Sequence, residues 1–194
     1  MDVYNHRHFI IYKPYGYLSQ FKNNDICKHK KKLLGELFDF PEGIMAIGRL
    51  DEKSEGLLLL TTDGQISEII RSNKIEKEYY VQLDGAIDIE ALSHLKKGVT
   101  IGIHSKKYLT NPCEAKLLTP KPDFPERQKK IRDDRHGPTS WISITLKEGK
   151  FRQIRKMTAA IGFPTLRLVR IRVGHLNLGP MFSGEVRELS SLLS

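Results

Sequence analysis

The stretch AIGRLDEKSEGLLLLTTDG, residues 46–64, decides how the chain is read. Leu57 to Leu60 is its most apolar run, bounded by turn-forming residues, and reads as a strand buried on both faces. The run ends at Asp63-Gly64, where Asp63 is placed to cap a following helix, QISEIIRS. Upstream, Arg49 and Asp51 of an extended segment point to one side and Leu50 to the other. Leu50 can then anchor in the core while both charged groups face one cleft, and residues 52–56 turn the chain into the strand. This fixes the backbone of Asp51 and leaves its carboxylate accessible, as a nucleophile requires. Spacing alone favours a surface ion pair or a turn-capping aspartate.

Around this block the pattern mixes strands and helices. FIIYKP (9–14), EYYVQLDG (78–85), SWISITLKEG (140–149) and TLRLVRIRV (165–173) read as strands. KHKKKLLGELFDF (28–40) carries Leu33, Leu34, Leu37 and Phe38 at helical spacing. Asp88 is placed to cap a helix holding Ile89, Leu92 and Leu95, closed by Gly98. RQIRKMTAAIG (152–162) is a further helix, and the proline-rich, charged 119–139 a long surface loop. The lack of regular β-α-β alternation predicts an α+β fold. The chain is long enough for one domain or two small subdomains sharing a core, and a single domain is expected over 5–190.

Composition narrows the function classes. At 39% hydrophobic and 28% charged residues the chain reads as globular and intracellular, with no membrane-length apolar window and no signal-peptide layout. Cys27 and Cys113 lie far apart, and the seven histidines are scattered. Neither a disulfide framework nor a metal site is expected. The net charge of +9 favours a polyanionic partner, nucleic acid before an anionic membrane. Eight basic residues (Lys147, Lys150, Arg152, Arg155, Lys156, Arg167, Arg170 and Arg172) face a single acid, Glu148, and suggest one binding face.

Three further elements can carry chemistry. In EGKFRQIRKM (148–157), helical geometry puts Ile154, Met157, Thr158 and Ile161 on one face, with Arg152 and Lys156 solvated opposite. Arg155 falls at the border, where a guanidinium can reach inward and hold a carboxylate ionised. Tyr79 and Tyr80 point to opposite faces of their strand, so one can be core while the other lines a cleft and stacks on a base. Lys13-Pro14 says little by itself.

Together, YKPYG (12–16), AIGRLDEKSEGLLLLTTDG (46–64), KEYYV (77–81), EGKFRQIRKM (148–157) and GFPTLRLVR (162–170) resemble the RsuA-type branch of the pseudouridine synthases, in family order. The G-R-L-D-x-x-S-x-G-L-L-L-L-T block is the specific part. The chain is most similar to the subgroup that lacks an N-terminal S4 domain and acts on the large ribosomal subunit. The resemblance implies an α+β fold: a long, mixed, mostly antiparallel sheet with flanking helices and a central catalytic cleft. It implies Asp51 as the catalytic aspartate, Tyr79 as the tyrosine that stacks on uracil, and Arg155 as the basic residue paired to the aspartate. Arg49 is implied beside the flipped nucleotide. Lys13, Arg152, Lys156, Arg167 and Arg170 are the other expected substrate contacts.

The implied reaction is the isomerisation of uridine to pseudouridine in 23S rRNA. It is redox neutral and needs no group donor, so no cofactor is expected. The expected partner of this cytoplasmic monomer is ribosomal RNA, with no membrane. The alternatives are the same chemistry on small-subunit rRNA or tRNA, and a non-catalytic rRNA-binding assembly factor.

Overall fold

A computed structural model describes residues 6–22, 31–72, 74–127, 129–132 and 134–193. Along the chain come β1 (His8–Lys13), β2 (Tyr17–Leu18), β3 (Lys32–Leu33), β4 (Met45–Ile47), β5 (Glu55–Thr61), α1 (Gly64–Arg71) and β6 (Lys77–Asp84). Then follow α2 (Ile89–Lys97), β7 (Thr100–Ile103), β8 (Lys106–Leu109), β9 (Glu114–Leu117) and β10 (Thr139–Leu146). The last elements are α3 (Gln153–Ala160), β11 (Thr165–Val173), β12 (Leu176–Asn177) and β13 (Val186–Leu189). The content is α+β, as expected. Among the described residues no helix is long and apolar enough to cross a membrane. The chain divides into two compact units, Met1–Ile75 with Arg170–Ser194, and Glu76–Val169.

In the first unit β1 lies between β5 and β13, antiparallel to both, and β4 pairs with the other edge of β5. Flanked on both sides, β1 and β5 are buried along their whole length. Each of the four leucines of β5 is at most 1% exposed, worth roughly 1.5–3 kcal/mol per side chain relative to exposure. The Asp63 carboxylate caps α1, accepting from the Gln65 and Ile66 amides at 2.8 and 3.2 Å. Those bonds hold the Asp63 carboxyl below the usual range.

The helix expected over 28–40 is not formed in its described part; residues 28–30 lie outside the described set. Leu33 is extended (φ −117°, ψ 158°) and pairs in parallel with Leu18, and only a single 3-10 turn follows over Leu34–Glu36. Phe38 and Phe40 explain the outcome. Both pack on Phe9 of β1, at 6.0 and 5.7 Å, and Phe40 also meets Phe21 at 5.3 Å. Aromatic packing on Phe9 outweighs a helical pattern already weakened by Gly35.

In the second unit β10 lies between β6 and β9, antiparallel to both, and β7 and β8 form a hairpin. Val81, Leu83, Leu95, Ile142, Ile144 and Met157 are among its core. Asp88 caps α2 through the Ala91 amide at 2.7 Å. Ile89 opens the helix and is exposed; Ala91 and Leu95 take the buried face. Gly98 closes the helix at φ 99°, and a Cβ there would lie 2.4 Å from the Thr110 carbonyl oxygen.

The described residues of 119–138 form a loop apart from one 3-10 turn, Asp134–His136, and the loop is tied down. Phe124 packs between Tyr80 (6.0 Å) and Trp141 (5.7 Å), and Arg132 pairs with Asp84.

Candidate active site

Asp51 sits in the first unit, on the loop between β4 and β5. Gly48 makes the entry to that loop at φ 71°, a left-handed conformation that suits glycine and accounts for the G of G-R-L-D. Arg49 is exposed, Leu50 is buried and Asp51 half-buried, matching the alternation expected of the segment. The backbone on both sides of Asp51 is gripped. Ser19 Oγ accepts from the Leu50 amide at 3.0 Å and donates to the Leu50 carbonyl at 2.9 Å. The Gly16 amide donates to the Glu52 carbonyl at 2.8 Å, and the Ser54 amide to that of Asp51 at 2.9 Å. The clamp is what sequence reasoning missed. Its signal, a serine five residues after Lys13-Pro14, means nothing until the fold brings Ser19 to Leu50.

Lys13 anchors the same construction from below. It is fully buried, and its Nζ donates to the carbonyls of Pro14 (2.8 Å) and Tyr17 (2.7 Å), closing the turn that carries Gly16. Burial pushes its ammonium down to about 7, against the opposing pull of Glu55, Asp51 and Glu52; Arg170 adds to the lowering. Arg170, on β11, is also buried and donates from Nε to the Leu57 carbonyl at 2.7 Å. Lys13 and Arg170, expected to contact substrate, are therefore internal struts of the mount that carries Asp51.

The second unit carries the other candidates. Tyr79 and Tyr80 diverge as expected from β6: Tyr79 packs half-buried against the core, and Tyr80 meets Phe124 on the opposite face. Burial raises the phenol of Tyr80. On α3, Ile154, Met157 and Thr158 are buried, Arg152 is exposed and Arg155 half-buried at the border. Lys156, expected in solvent, is half-buried and donates to the Gly102 carbonyl at 2.7 Å. Arg167, expected on an RNA-binding face, is 6% exposed. Its guanidinium lies 5.4 Å from the Phe124 ring centroid and donates to the Pro125 carbonyl at 2.8 Å, pinning the long loop. The basic segment is thus not one face: its charges divide between solvent and internal ties.

Glu148, the single acid of that segment, is buried at 6% exposure. It accepts from Tyr108 Oη (2.6 Å), the Asn111 amide (2.9 Å) and Gln153 Nε2 (2.6 Å). The hydrogen bond to Glu148 raises the Tyr108 phenol. Gln153 Oε1 in turn accepts from the Lys150 amide at 2.9 Å, so Glu148 and Gln153 lock the turn leading into α3. A lone acid in a basic run was the available clue to a buried structural carboxylate. An opening of about 350 Å³ beside Glu76, Cys113 and Lys147 includes none of the candidate catalytic residues.

Comparison with known proteins follows the same motifs. The RNA pseudouridylate synthase family matches residues 7–160. A protein of Xanthomonas axonopodis pv. citri named ribosomal large subunit pseudouridine synthase E is 40% identical over 87% of this chain and 86% of its own length. The protein of that name from Vibrio parahaemolyticus is 39% identical over 97% of this chain and 76% of its own. A crystal structure of a pseudouridylate synthase superposes with a TM-score of 0.72 at 30% identity, covering 95% of this chain and 70% of that one. The matched region takes in the clamped aspartate loop, the paired tyrosines and the locked turn before α3, and the chain belongs to the RNA pseudouridylate synthases.

Proposed function

We propose that this enzyme isomerises a specific uridine of ribosomal RNA, in the large-subunit 23S molecule, and that Asp51 carries the chemistry. The observation that supports the target most directly is the 40% identity, over most of both chains, to a protein named for the large ribosomal subunit. For the residue, the support is the clamp: a half-buried carboxylate whose flanking backbone is held at Leu50 and Glu52 keeps its aim while a base moves past it.

In the reaction the C1′–N1 bond breaks, the base turns, and a C5–C1′ bond forms; the C5 proton leaves and N1 gains one. Asp51 serves either as nucleophile at C1′ or as the base that removes the 2′ proton. Tyr79 holds the detached uracil, and Arg155 supplies the positive charge that the resemblance pairs with the aspartate. The target uridine must leave its stack, at a cost of a few kcal/mol. Arg49, Arg152 and Lys156 offset that cost through backbone contacts. Lys13, Arg167 and Arg170 support the site from inside. The protein acts in the cytoplasm, as a monomer and without a cofactor.

The test is to map pseudouridine across rRNA and tRNA in cells with and without the protein. Loss of a single 23S site, restored by wild type and not by Asp51→Asn, is the expected result. Loss of a small-subunit or tRNA site instead would move the target, and an unchanged map would remove the proposed activity.

A further inference from the structure

Phe151 sits in the turn before α3 and is 61% exposed. Its surroundings set it apart from the other exposed phenylalanines. Phe38 packs against Phe9 and Phe40, and Phe182 lies beside Glu185, which accepts its amide. One cation meets the Phe151 ring and two more flank it in the chain. Lys156 Nζ sits 5.1 Å from its ring centroid; Lys150, whose Nζ lies 5.0 Å from the Tyr108 ring centroid, and Arg152 are its exposed chain neighbours. Glu148, the nearby acid, faces inward, where three donors occupy it.

The turn is built rather than loose. The Lys150 amide donates to Gln153 Oε1, and the Gln153 amide donates back to the Lys150 carbonyl at 3.1 Å. Arg152 is held left-handed at φ 52°, ψ 34°, where glycine would sit without strain. The chain keeps a strained arginine and an exposed ring side by side on a fixed turn. That pairing matches what unpaired nucleic acid needs: a flat apolar surface for a base and a guanidinium for the next phosphate.

We propose that Phe151 is a stacking platform for an unpaired nucleotide flanking the target uridine, with Lys150 and Arg152 holding the adjacent phosphates. Lys156 occupies one face of the ring and leaves the other to the base. The assignment rests on RNA being the substrate, and it adds a contact outside the chemistry of Asp51.

The test is binding of a labelled single-stranded RNA of roughly 12 nucleotides, within the site sizes of stacking platforms. Phe151→Ala should weaken binding about 5- to 20-fold, the loss of one stacked base. Phe151→Tyr should bind within about twofold of wild type, and Phe151→Leu should not, because stacking and not bulk carries the contact. An RNA with abasic positions should erase the difference between Phe151 and Ala. The salt dependence of Phe151→Ala should stay unchanged, whereas Arg152→Gly should lower it by about 0.7 in slope and raise the unfolding midpoint. Should the alanine variant fold poorly, Tyr against Leu supplies the same readout. Equal binding by wild type, Ala and Leu overturns the stacking role alone; failure of wild type to bind RNA at all overturns the RNA substrate with it.

Discussion

The Asp51 loop and the turn that carries Phe151 and Arg152 hold their working side chains in opposite ways. At Asp51 the backbone is clamped on both flanks and the side chain is half-hidden. At Phe151 the ring and its neighbouring charges stand in solvent on a turn fixed from behind by Glu148 and Gln153. A group that acts at one atom needs a fixed direction, whereas a surface that collects a flexible strand needs reach and charge. The contrast also explains why counting basic residues overstates the RNA-binding face: Lys13, Arg167 and Arg170 serve the first kind of construction, not the second.

Four substitutions can break or sharpen that contrast. Asp51→Asn should lower turnover by at least about 10³-fold, the order lost when a nucleophile or essential base is removed. RNA affinity should stay within a few-fold, and retained turnover, measured by pseudouridine formation, would remove Asp51 from its role. Ser19→Ala strips both partners from Leu50, leaving a buried amide and carbonyl unsatisfied at a cost of about 1–3 kcal/mol. A misaimed Asp51 should then lose kcat about tenfold, a typical penalty of imprecise positioning, with KM little changed. Ser19→Thr should recover much of it, and a rise in KM alone would place Ser19 outside the aiming of Asp51.

Arg167→Ala should leave RNA affinity within about twofold, because a buried guanidinium makes no phosphate contact. It should also free the 119–139 loop, giving several-fold faster proteolytic cutting there, roughly the gain from losing about 1 kcal/mol of tethering. A large affinity loss with an uncut loop would restore Arg167 to the RNA face. Lys13 leaves the site's chemistry aside and is read as a pH slope. Between about 7 and the ordinary 10.5 the folded Lys13 is neutral while the unfolded one is still protonated. The unfolded chain then binds more protons, so stability owed to Lys13 rises with pH across that window. The unfolding free energy of wild type relative to Lys13→Met should therefore grow from pH 7 to 10, and a flat difference would contradict the burial of its charge.

Legibility in the sequence followed the range of the interactions involved. β5, β6, β10 and β11 were readable because dense apolar or β-branched runs leave few alternatives, and the Asp63 and Asp88 caps because their partners lie two or three residues away. β7, β8 and β9 were not anticipated: TIGI, KKYL and EAKL are short and largely exposed, so burial imprints little pattern on them. The 28–40 segment misled because its decisive partner, Phe9, lies outside the local window. The candidate site divides the same way. Asp51, Tyr79 and Arg155 sit within specific motifs, whereas Ser19 meets Leu50 across 31 residues and Arg167 meets Pro125 across 42. No local period encodes such meetings.

The two inward arginines of β11 bear on any attempt to tune this enzyme by charge. Neutralising cations to suppress non-specific polyanion binding is a common engineering step, and a count of residues would mark Arg167 and Arg170 for removal. Each instead ends in a carbonyl inside its own unit, at Pro125 and Leu57. Lysine would preserve the formal charge but not the planar fork that reaches these acceptors. Charge trimming here should begin at Lys147 and Lys129, whose side chains are exposed.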